Sequence, residues 1–538
     1  MAQAFYADGL AANGGDGSLA GPWNNLDQIT AWSAGTGFQP GDVLYLKRGT
    51  TLACKVGNGL SLYNSGLKND PIIIRDYGTG VLPAIDCGGS PIAGAWVEQS
   101  ANGLPGVYFN AYSGATVNGF TEDSVWLMHA LTIGGLAAGQ WYWNHTSNPS
   151  SPYQPAYAIG LYYKPSSGTA ASHTLRKCNG NNGVGLMANV RFVRFVNVMF
   201  KGGAIGLANA TPTSVSPQGI ECVKCTFTEL RTATNLFGFN AFPIIECAFL
   251  DCTVIECGKG IHIGSRDTGV PCIGHVMKGN QTSNIDVNQR FSSFGTTLDR
   301  EGMGLQNPVG CRVIGNVVSS GCFNGGIILW VHGTQGKFEG NLIAANEVRD
   351  ILGSGIVAGA AVLAPCLGYN VVSGNRIARC GGYGIKINTS SQFRPSYCQN
   401  NVIDACTLDH LYTQSSCSGW EVQNNISLNP VSVHAGWGGA SACRPNANNY
   451  FPSAGLCFRE NGVLRDWASF KAEVLNNGVT IPPPDDSSVS VDPAFTPGGY
   501  RLPPASSLRT AGLNGTYPVL DGDEQLIAGA ISPIGAYL

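Results

Sequence analysis

The chain has 538 residues, a net charge of −3 and a charged fraction of only 12%. It contains no run of Lys and Arg. The composition therefore argues against nucleic acid and anionic membranes as partners, because both require a concentrated basic surface. No stretch approaches the roughly 20 unbroken apolar residues that a membrane-spanning helix needs. The 73 glycines favour a large β-protein with many turns.

Residues 1–94 are predicted to hold an N-terminal cap followed by short strands. We expect a short helix from Asn24 to Trp32 that covers the first strands, because an uncovered terminal strand exposes a pairing edge. The first residues lack the basic head and apolar core of a secretory signal. We therefore expect either that a signal has been removed or that the protein leaves the cell by another route, such as lysis.

The aromatic-rich residues 95–165 are predicted to form a small β insertion that projects from the early strands. They include Trp141-Tyr-Trp143 and Leu161-Tyr-Tyr163. These rings either form the core of the insertion or present a stacking surface for sugars. We favour the packed core and keep the sugar-binding surface as the alternative.

A repeat of 24 to 30 residues marks the segment 166–430. Its clearest signal is a set of asparagines spaced 30, 29, 26 and 24 residues apart, namely Asn316, Asn346, Asn375, Asn401 and Asn425. Strands that begin with glycine keep step with this set, at Gly260, Gly302, Gly326, Gly355 and Gly384. A unit this short is stable only when it stacks on like neighbours. The Leu-x-x-Leu-x-Leu signature of leucine-rich repeats is missing.

The stacked short strands predict an all-β fold, a right-handed parallel β-helix with an N-terminal cap, a small β insertion and a C-terminal capping segment. Coils of such a stack lie roughly 4.8 Å apart, so one asparagine per coil can hydrogen-bond along the stack through its side-chain amide. Asparagine also tolerates the left-handed turn conformation. We therefore assign the asparagine set a structural role.

The 18 cysteines are predicted to be free, buried thiols. Several recur at matching places in the repeat, and a fold of this size does not need disulfides. Cys222 and Cys225 form a CxxC pair, but no second pair follows at zinc-finger spacing, so zinc is disfavoured.

Residues 431–538 are predicted to form a C-terminal cap or tail. The coil pattern fades there, and Phe458 to Asn477 is interpreted as containing a helix with Trp467, Phe470 and Val474 on one face.

Both ends and the middle of the chain resemble the pectate-lyase-like, right-handed β-helix superfamily. The resemblance rests on Phe38-Gln-Pro-Gly-Asp-Val-Leu-Tyr-Leu-Lys-Arg-Gly49, on Pro71-Ile-Ile-Ile-Arg-Asp-Tyr-Gly78 and on the segment that begins at Asp492. It implies this fold, a polysaccharide substrate and the option of a homotrimer. Because the superfamily includes lyases, hydrolases, epimerases and bacteriophage tailspikes, the resemblance does not select one reaction.

Asp299, Arg300 and Glu301 form the densest charged cluster, directly before the strand that begins at Gly302. Carboxylates two residues apart point to one side of an extended chain, with Cα atoms about 7 Å apart. Inverting glycosidases use a separation of about 6.5 to 9.5 Å. For hydrolysis we assign Glu301 as general acid and Asp299 or Asp267 as base. The alternative is that these carboxylates only decorate a turn.

Stacking nominates further residues in neighbouring coils, because outward residues of successive strands form one column. A groove shared with the carboxylates is predicted, walled by a long loop at 284–298 and lined by His262, Trp330, His332 and Lys386. Trp330 offers a stacking face for a sugar ring, and Arg266 would bind an acidic sugar or orient a carboxylate. Each residue alone is equally explained as ordinary surface.

We expect a depolymerase that hydrolyses a bacterial capsular or exopolysaccharide, located outside the cell or in a phage virion. One alternative is a lyase acting by β-elimination, in which His262, His332 or Lys386 is the base and Arg266 or Arg300 neutralises the uronate. Another is a non-catalytic glycan-binding protein. Calcium would need a carboxylate cluster, for which the candidates are Asp267, Asp299 and Glu301, so no cofactor is expected.

Overall fold

The structure is a computed structural model of the whole chain. It describes residues 2–494, together with 506 and 508, except for 13, 54–58, 87–89, 93, 113–116, 118, 124, 131, 147–152, 179–181, 188, 211–213, 239–241, 266–269, 287–299, 332–335, 361–367, 389–395, 415–417, 438–441, 447, 452–455, 461–462, 467 and 470–488. The chain forms two compact units. The first comprises Met1–Leu236, Cys252–His262 and Asn284–Arg300, and the second comprises Phe237–Asp251, Ile263–Ser283 and Glu301–Leu538.

The predicted fold class is confirmed, because parallel strands stacked in register make up both units and the fold is an all-β parallel β-helix. In the first unit, one ladder contains Ala4–Ala7, Val43–Lys47, Ile72–Tyr77, Arg191–Val196 and Gln218–Val223. A second set contains Thr51–Ala53, Leu60–Leu62, Ala84–Asp86, Asn182–Leu186, Met199–Asn209 and Thr253–Ile255. The strands Thr226–Gly238, Ile261–Ser265 and Gln281–Ile285 each have residues in both units.

The second unit has three ladders of parallel strands. The first runs through Ala248–Leu250, Val276–Lys278, Arg312–Ile314, Leu342–Ala344, Val371–Ser373, Ser396–Gln399, Ser418–Gln423 and Ala442–Asn446. Short strands at Ile244–Ile245, Cys272–Ile273 and Pro308–Val309 pair in the same way. The second ladder runs through Val317–Gly321, Glu347–Ile351, Arg376–Ala378, Val402–Asp404, Ile426–Leu428 and Asn449–Phe451.

The third ladder of the second unit carries the residues discussed below as a functional site. It runs through Glu301–Gln306, Gly325–Val331, Ser354–Ala360, Ile385–Ile387, Leu411–Thr413, Ala435–Trp437 and Leu456–Glu460. An antiparallel strand, Val463–Asp466, follows the last of these. These two strands occupy the first part of the segment Phe458 to Asn477 that is predicted to contain a helix. Trp467, Phe470 and Val474 lie outside the described residues, so their common helical face stays a prediction. The strand Leu456–Glu460 still follows the repeat and buries the Phe458 ring.

The predicted N-terminal helix is present at Leu26–Ala34. Asn25 caps it, since its side chain accepts a hydrogen bond from the Gln28 N–H, 3.0 Å away. On the side that faces the strand Leu60–Leu62, hydroxyl groups of Thr30 and Ser33 accept hydrogen bonds from the backbone N–H groups of residues 61 and 63. The helix thus satisfies an open strand edge, which is the role that the sequence predicts for it.

The β insertion consists mainly of antiparallel strands, in contrast to the stacked coils, and Met128–His129 pairs parallel to Gln140–Asn144. One sheet contains Ser90–Pro91, Gly119–Glu122, Val125–Trp126 and Leu175–Cys178, and the other contains Val97–Glu98, Tyr108–Asn110, Met128–His129, Gln140–Asn144 and Gly160–Lys164. Two 3-10 turns lie at Ser100–Asn102 and Ala170–Ser172. Trp141, Trp143 and Tyr163 are buried in its core. The packed-core interpretation of these rings is therefore confirmed.

A ladder of buried asparagine side chains runs along the second unit, as predicted. The five predicted asparagines belong to it, and it extends to Asn280 and Asn448. Asn346 shows the pattern, because its side-chain oxygen accepts from the N–H and the Nδ2 of Asn316 while its own Nδ2 donates to Asn375 and to the carbonyl of Val313. Every polar atom of the amide is thus satisfied within the core.

The left-handed backbone conformation does not belong to the ladder asparagines themselves. It occurs one residue earlier, at Gly315, Ala345, Gly374, Asn400 and Asn424. The amide is therefore required for its hydrogen bonds along the stack and not for turn geometry, which corrects one of the two reasons drawn from the sequence.

The glycines that begin strands of the third ladder are required by the close approach of the next coil. A Cβ atom on Gly326 would lie 3.0 Å from the carbonyl oxygen of Gly355, and one on Gly355 would lie 2.6 Å from that of Gly384. Any larger residue would push neighbouring backbones apart. The regular glycine signal in the sequence therefore reports how tightly the coils stack.

Among the described residues, eleven cysteines are free and buried. The free-thiol prediction is confirmed for these eleven. Burial raises the pKa of Cys257 and of Cys311 to about 12. The thiolate, which is the reactive form, is therefore scarce at neutral pH in the folded protein.

Replacing Asn346 by alanine should lower the free energy of unfolding by about 2 to 5 kcal/mol, because the Val313 carbonyl and both Asn316 donors lose their partner inside the core. Urea unfolding followed by circular dichroism measures the change. Asn324→Ala is the matched control, since Asn324 is exposed. Equal effects of the two substitutions would contradict the ladder's role.

Cys257 and Cys311 should resist alkylation by iodoacetamide in the folded protein at pH 8 and react fully in urea, because burial suppresses their thiolate forms. Mass spectrometry of the digested protein gives the modified fraction at each position. Rapid modification of either thiol without denaturant would show that its coil opens or that it is exposed.

Candidate functional site

One column of side chains lies on the outer face of the third ladder in the second unit. The strand register pairs successive residues across the coils in the order Gly304, Ile328, Val357, Lys386, Tyr412, Gly436 and Arg459. Their chain neighbours, such as Ile385 and Ile387 beside Lys386, are buried in the core. Because side chains alternate along a strand, the column lies on the opposite face from these residues, and Val357, Lys386, Tyr412 and Arg459 are its partly exposed members. We call these seven residues the outer column.

Lys386 is half-buried at the centre of the outer column. Its ammonium lies 5.3 Å from the centre of the Tyr383 ring. Burial lowers the pKa of Lys386, and no carboxylate among the described residues is placed to oppose this shift. A lysine in this setting gives up its proton more readily than an exposed one and can act as a base.

Tyr383 and Tyr412 form a stacked aromatic pair beside this lysine. Their ring centres are 4.5 Å apart and the planes are inclined by 24°. Both side chains are partly exposed. Burial raises the pKa of Tyr383, with smaller contributions from Tyr412 and Asp409. Partly exposed aromatic faces next to polar groups are suited to stacking against sugar rings.

Asp409 is a buried carboxylate adjacent to the outer column. One of its oxygens lies 3.6 Å from the Arg459 guanidinium and accepts a hydrogen bond from the Ser432 hydroxyl at 3.3 Å. Burial raises the pKa of Asp409, although Arg459 and Ser432 act in the opposite direction. The carboxyl therefore holds a proton at higher pH than an exposed aspartate does.

Gly436 makes room for this carboxylate. A Cβ atom on Gly436 would lie 2.1 Å from Oδ2 of Asp409. The carboxyl group of Asp409 thus occupies the space that a side chain at position 436 would fill, between Tyr412 and Arg459. Lys386, Tyr412, Asp409 and Arg459 consequently form one polar cluster, with the aromatic ring of Tyr383 beside it.

Trp330 lies on the same outer face, in the neighbouring column. It pairs with Gln306 on one side and Gly359 on the other. Its strand is two strands away from that of Lys386, which corresponds to about 10 Å along the ladder. The prediction that Trp330 and Lys386 lie along one face is therefore supported by the register.

Of the predicted carboxylates, Glu301 is the one that the structure describes, and its side chain is not accessible. Glu301 is only 1% exposed, and the pKa of the buried Cys322 thiol is raised in part by the charge of Glu301. Asp299 and Asp267 lie outside the described residues, as do Arg266, His332 and most of the loop 284–298. A side chain as deeply buried as Glu301 does not contact a polysaccharide in this conformation, and its assignment as general acid remains a prediction.

His262 and Arg300 are also largely buried, whereas residues of a surface groove would be exposed. His262 is fully buried, and its backbone is bonded to the hydroxyl of Thr234. Arg300 is mostly buried and forms an ion pair with Asp286 at 3.2 Å. Both belong to the first unit, in which the local alternation of the strands could not be judged from the sequence.

Sequence analysis missed Tyr383, Asp409, Tyr412 and Arg459. The glycine that marks earlier strands is replaced at their level by His410, His434 and Cys457, so the repeat is hard to follow there. Spacing offers a weak signal, since Lys386 and Tyr412 are 26 residues apart, as are Asn375 and Asn401. Alignment on the asparagines would have placed Tyr412 beside Lys386.

A network of buried histidines lies in the core at the same coils. The Nδ1 atoms of His410 and His434 are each 2.8 Å from the Ser427 hydroxyl, and Nε2 of His410 accepts a hydrogen bond from the Cys406 N–H. Burial, followed by the neighbouring His434, lowers the pKa of His410 to about 3. His410 is therefore neutral in the folded protein at physiological pH.

Among the residues that the structure describes, no group of three or more His, Cys, Asp or Glu side chains is placed to hold a metal ion. No helix in the described part of the chain is long and apolar enough to cross a membrane.

Comparison with known proteins identifies the class of fold. No protein-family model and no curated protein matches the sequence. Among solved structures, one described as XylC in complex with xylose matches with a TM-score of 0.54 and 10% identity, covering 86% of each chain. The protein therefore belongs to the parallel β-helix class of folds, and at this identity the likeness shows the fold alone.

Two further solved structures match with lower scores. A glycoside hydrolase has a TM-score of 0.45 and 13% identity over 86% of this chain and 97% of its own. A pectate lyase has a TM-score of 0.41 and 14% identity over 99% of this chain and 96% of its own.

Acidification should destabilise the protein through His410. The unfolded chain binds a proton at this residue below about pH 6.5, whereas the folded chain does so only near pH 3, where its pKa of about 3 lies. Stability is therefore complete above about pH 6.5 and is lost as the pH falls towards 3. Urea unfolding between pH 7 and pH 4, compared with His410→Gln, measures this contribution. An unchanged pH slope in the variant would contradict it.

Proposed function

We propose that the protein binds a polysaccharide along the outer column and cleaves it by β-elimination at a uronate residue, with Lys386 as the base. The observation that carries this proposal is a half-buried lysine of lowered pKa on an outward face, next to a pair of partly exposed tyrosines. Lysines whose charge is destabilised by burial are suited to proton abstraction.

The geometry favours elimination over the hydrolysis that the sequence suggested. Hydrolysis needs two carboxyl groups on either side of the glycosidic bond. In the outer column and its described contacts Asp409 is the single carboxylate, and Glu301 is buried elsewhere on the ladder. Elimination instead needs one base and a cation for the uronate carboxylate, and both kinds of group occur here.

The proposed reaction is balanced as follows. The neutral amine of Lys386 takes the C5 proton of the uronate and becomes an ammonium. The electrons of the C5–H bond form the C4=C5 double bond, and the C4–O bond breaks towards the leaving sugar. The leaving oxygen takes up a proton, for which we assign the hydroxyl of Tyr412, one coil from Lys386. Solvent then restores both groups.

Substrate binding would use the length of the outer face. Stacked coils repeat about every 4.8 Å, so an extended glycan lying across them meets a new row of side chains at each coil. Trp330 and the two tyrosines offer stacking faces at different coils. A polymeric substrate implies that the protein acts outside the cell, where such glycans occur.

Lys386→Arg should reduce cleavage by about 10²-fold to 10⁴-fold, because arginine keeps the positive charge but does not give up its proton. Ultraviolet absorbance of the unsaturated uronate measures cleavage of polygalacturonate, alginate and hyaluronate. Activity of the unmodified protein should rise with pH and begin to rise below the range expected of an exposed lysine, because only the neutral amine reacts.

Lys278→Arg is the control, since Lys278 is exposed on a strand of another ladder. Full activity of Lys386→Arg would contradict its role as base. New reducing ends without ultraviolet absorbance would indicate hydrolysis instead, and binding without either product would indicate a glycan-binding protein.

A further inference from the structure

Arg459 occupies the last position of the outer column, and its neighbours set the direction of its side chain. Its guanidinium lies 3.0 Å from the Ser432 hydroxyl and 3.6 Å from the Asp409 carboxylate. Asp409 belongs to the coil of Tyr412, two strands before that of Arg459. The arginine side chain therefore leans back along the column towards Tyr412 and Lys386.

The guanidinium keeps hydrogen-bonding capacity for a ligand. Arginine has five N–H donors in a planar fork. The contacts with Ser432 and Asp409 both involve its Nη2 atom, and 37% of the side chain is exposed. As far as the described part of the chain goes, the remaining donors are open to an acceptor that approaches along the outer face. A fork of this kind matches the two oxygens of a carboxylate.

The charge of the cluster favours an anionic ligand. Arg459 is a permanent cation of the outer column, Lys386 adds a second positive charge when it is protonated, and Asp409 is the carboxylate that touches the column. The position of Asp409 depends on Gly436, since any Cβ there would collide with its carboxyl group. Asp409 thus holds the arginine in place from beneath while the cluster remains cationic towards solvent.

We infer that Arg459, positioned by Asp409 and Gly436, is a subsite that binds the carboxylate of an acidic polysaccharide. The inference rests on the proposed function, because it names the residue that recognises the uronate carboxylate on the same face, and it makes Arg459 a specificity-determining residue. Its guanidinium lies at the level of the coils next to Lys386, so it binds a uronate at or beside the reacting sugar. A neutral glycan lacks the group that this subsite requires.

Binding tests this inference separately from cleavage. The Lys386→Arg variant serves as the background, so that the polymer stays intact during the measurement. Affinity for polygalacturonate, alginate and hyaluronate is measured by isothermal titration calorimetry, each beside its carboxyl-esterified form. We expect at least one acidic polymer to bind, its ester to bind at least tenfold more weakly, and Arg459→Gln to reduce affinity for the acid by at least tenfold.

Three further variants separate the role of the fork from general charge and from folding. Arg459→Lys keeps the charge and should recover part of the affinity. Gly436→Ala leaves every charge in place but displaces Asp409, and should weaken binding of the acid more than that of its ester. Arg465→Gln, in the paired antiparallel strand, should leave binding unchanged. Circular dichroism verifies that each variant is folded.

Equal affinity for a polymer and its ester, unchanged binding by Arg459→Gln, or no binding of any acidic polymer would overturn the subsite. If instead Arg459→Gln loses binding while the unmodified protein releases no unsaturated uronate, the subsite stands and the proposed elimination fails. The two hypotheses therefore have separate outcomes.

Discussion

The register of the parallel coils is the constraint on which the rest of the structure depends. Each coil adds its residues to the same rows as the coil before, so a side chain is placed by its row and not by its neighbours in sequence. The asparagine ladder maintains this register in the second unit, because each amide bonds to the coils on both sides. A shift of one residue would leave several buried polar atoms without partners.

The tight stacking explains why the core is built from small and apolar residues. Glycines at the starts of strands allow backbones of adjacent coils to approach, and buried thiols fill the remaining space. Some polar groups of this interior bond to one another, as His410 and His434 do around Ser427. Such a core leaves the outward positions free to vary in chemistry without changing the fold.

In and beside the outer column, two ionisable groups whose pKa values are shifted in opposite directions lie close together. Burial lowers the pKa of Lys386 and raises that of Asp409, so each is shifted towards its neutral form. Neighbouring groups whose pKa values are displaced in opposite directions are typical of acid–base chemistry. The stacked tyrosines lie beside Lys386.

The site assignments show where reasoning from charge density fails. Asp299-Arg300-Glu301 stands out in the sequence because charged residues are scarce, yet Glu301 is buried. In a protein with few charged residues, a charged side chain can lie in the interior as well as on the surface. By contrast, Asp409 and Arg459 are 50 residues apart in the sequence. They meet because the stack of coils places their strands only two coils apart.

The sequence by itself determined the stacked-coil fold, the structural asparagines, the buried thiols and the helix over the first strands, because each leaves a local or periodic trace. It also pointed to Trp330 and Lys386 as members of one face. Only the tertiary structure decided which polar residues reach the surface and which side chains touch. Burial and contact depend on the exact register of every coil. The length of a coil varies between 24 and 30 residues, so that register cannot be read from the sequence.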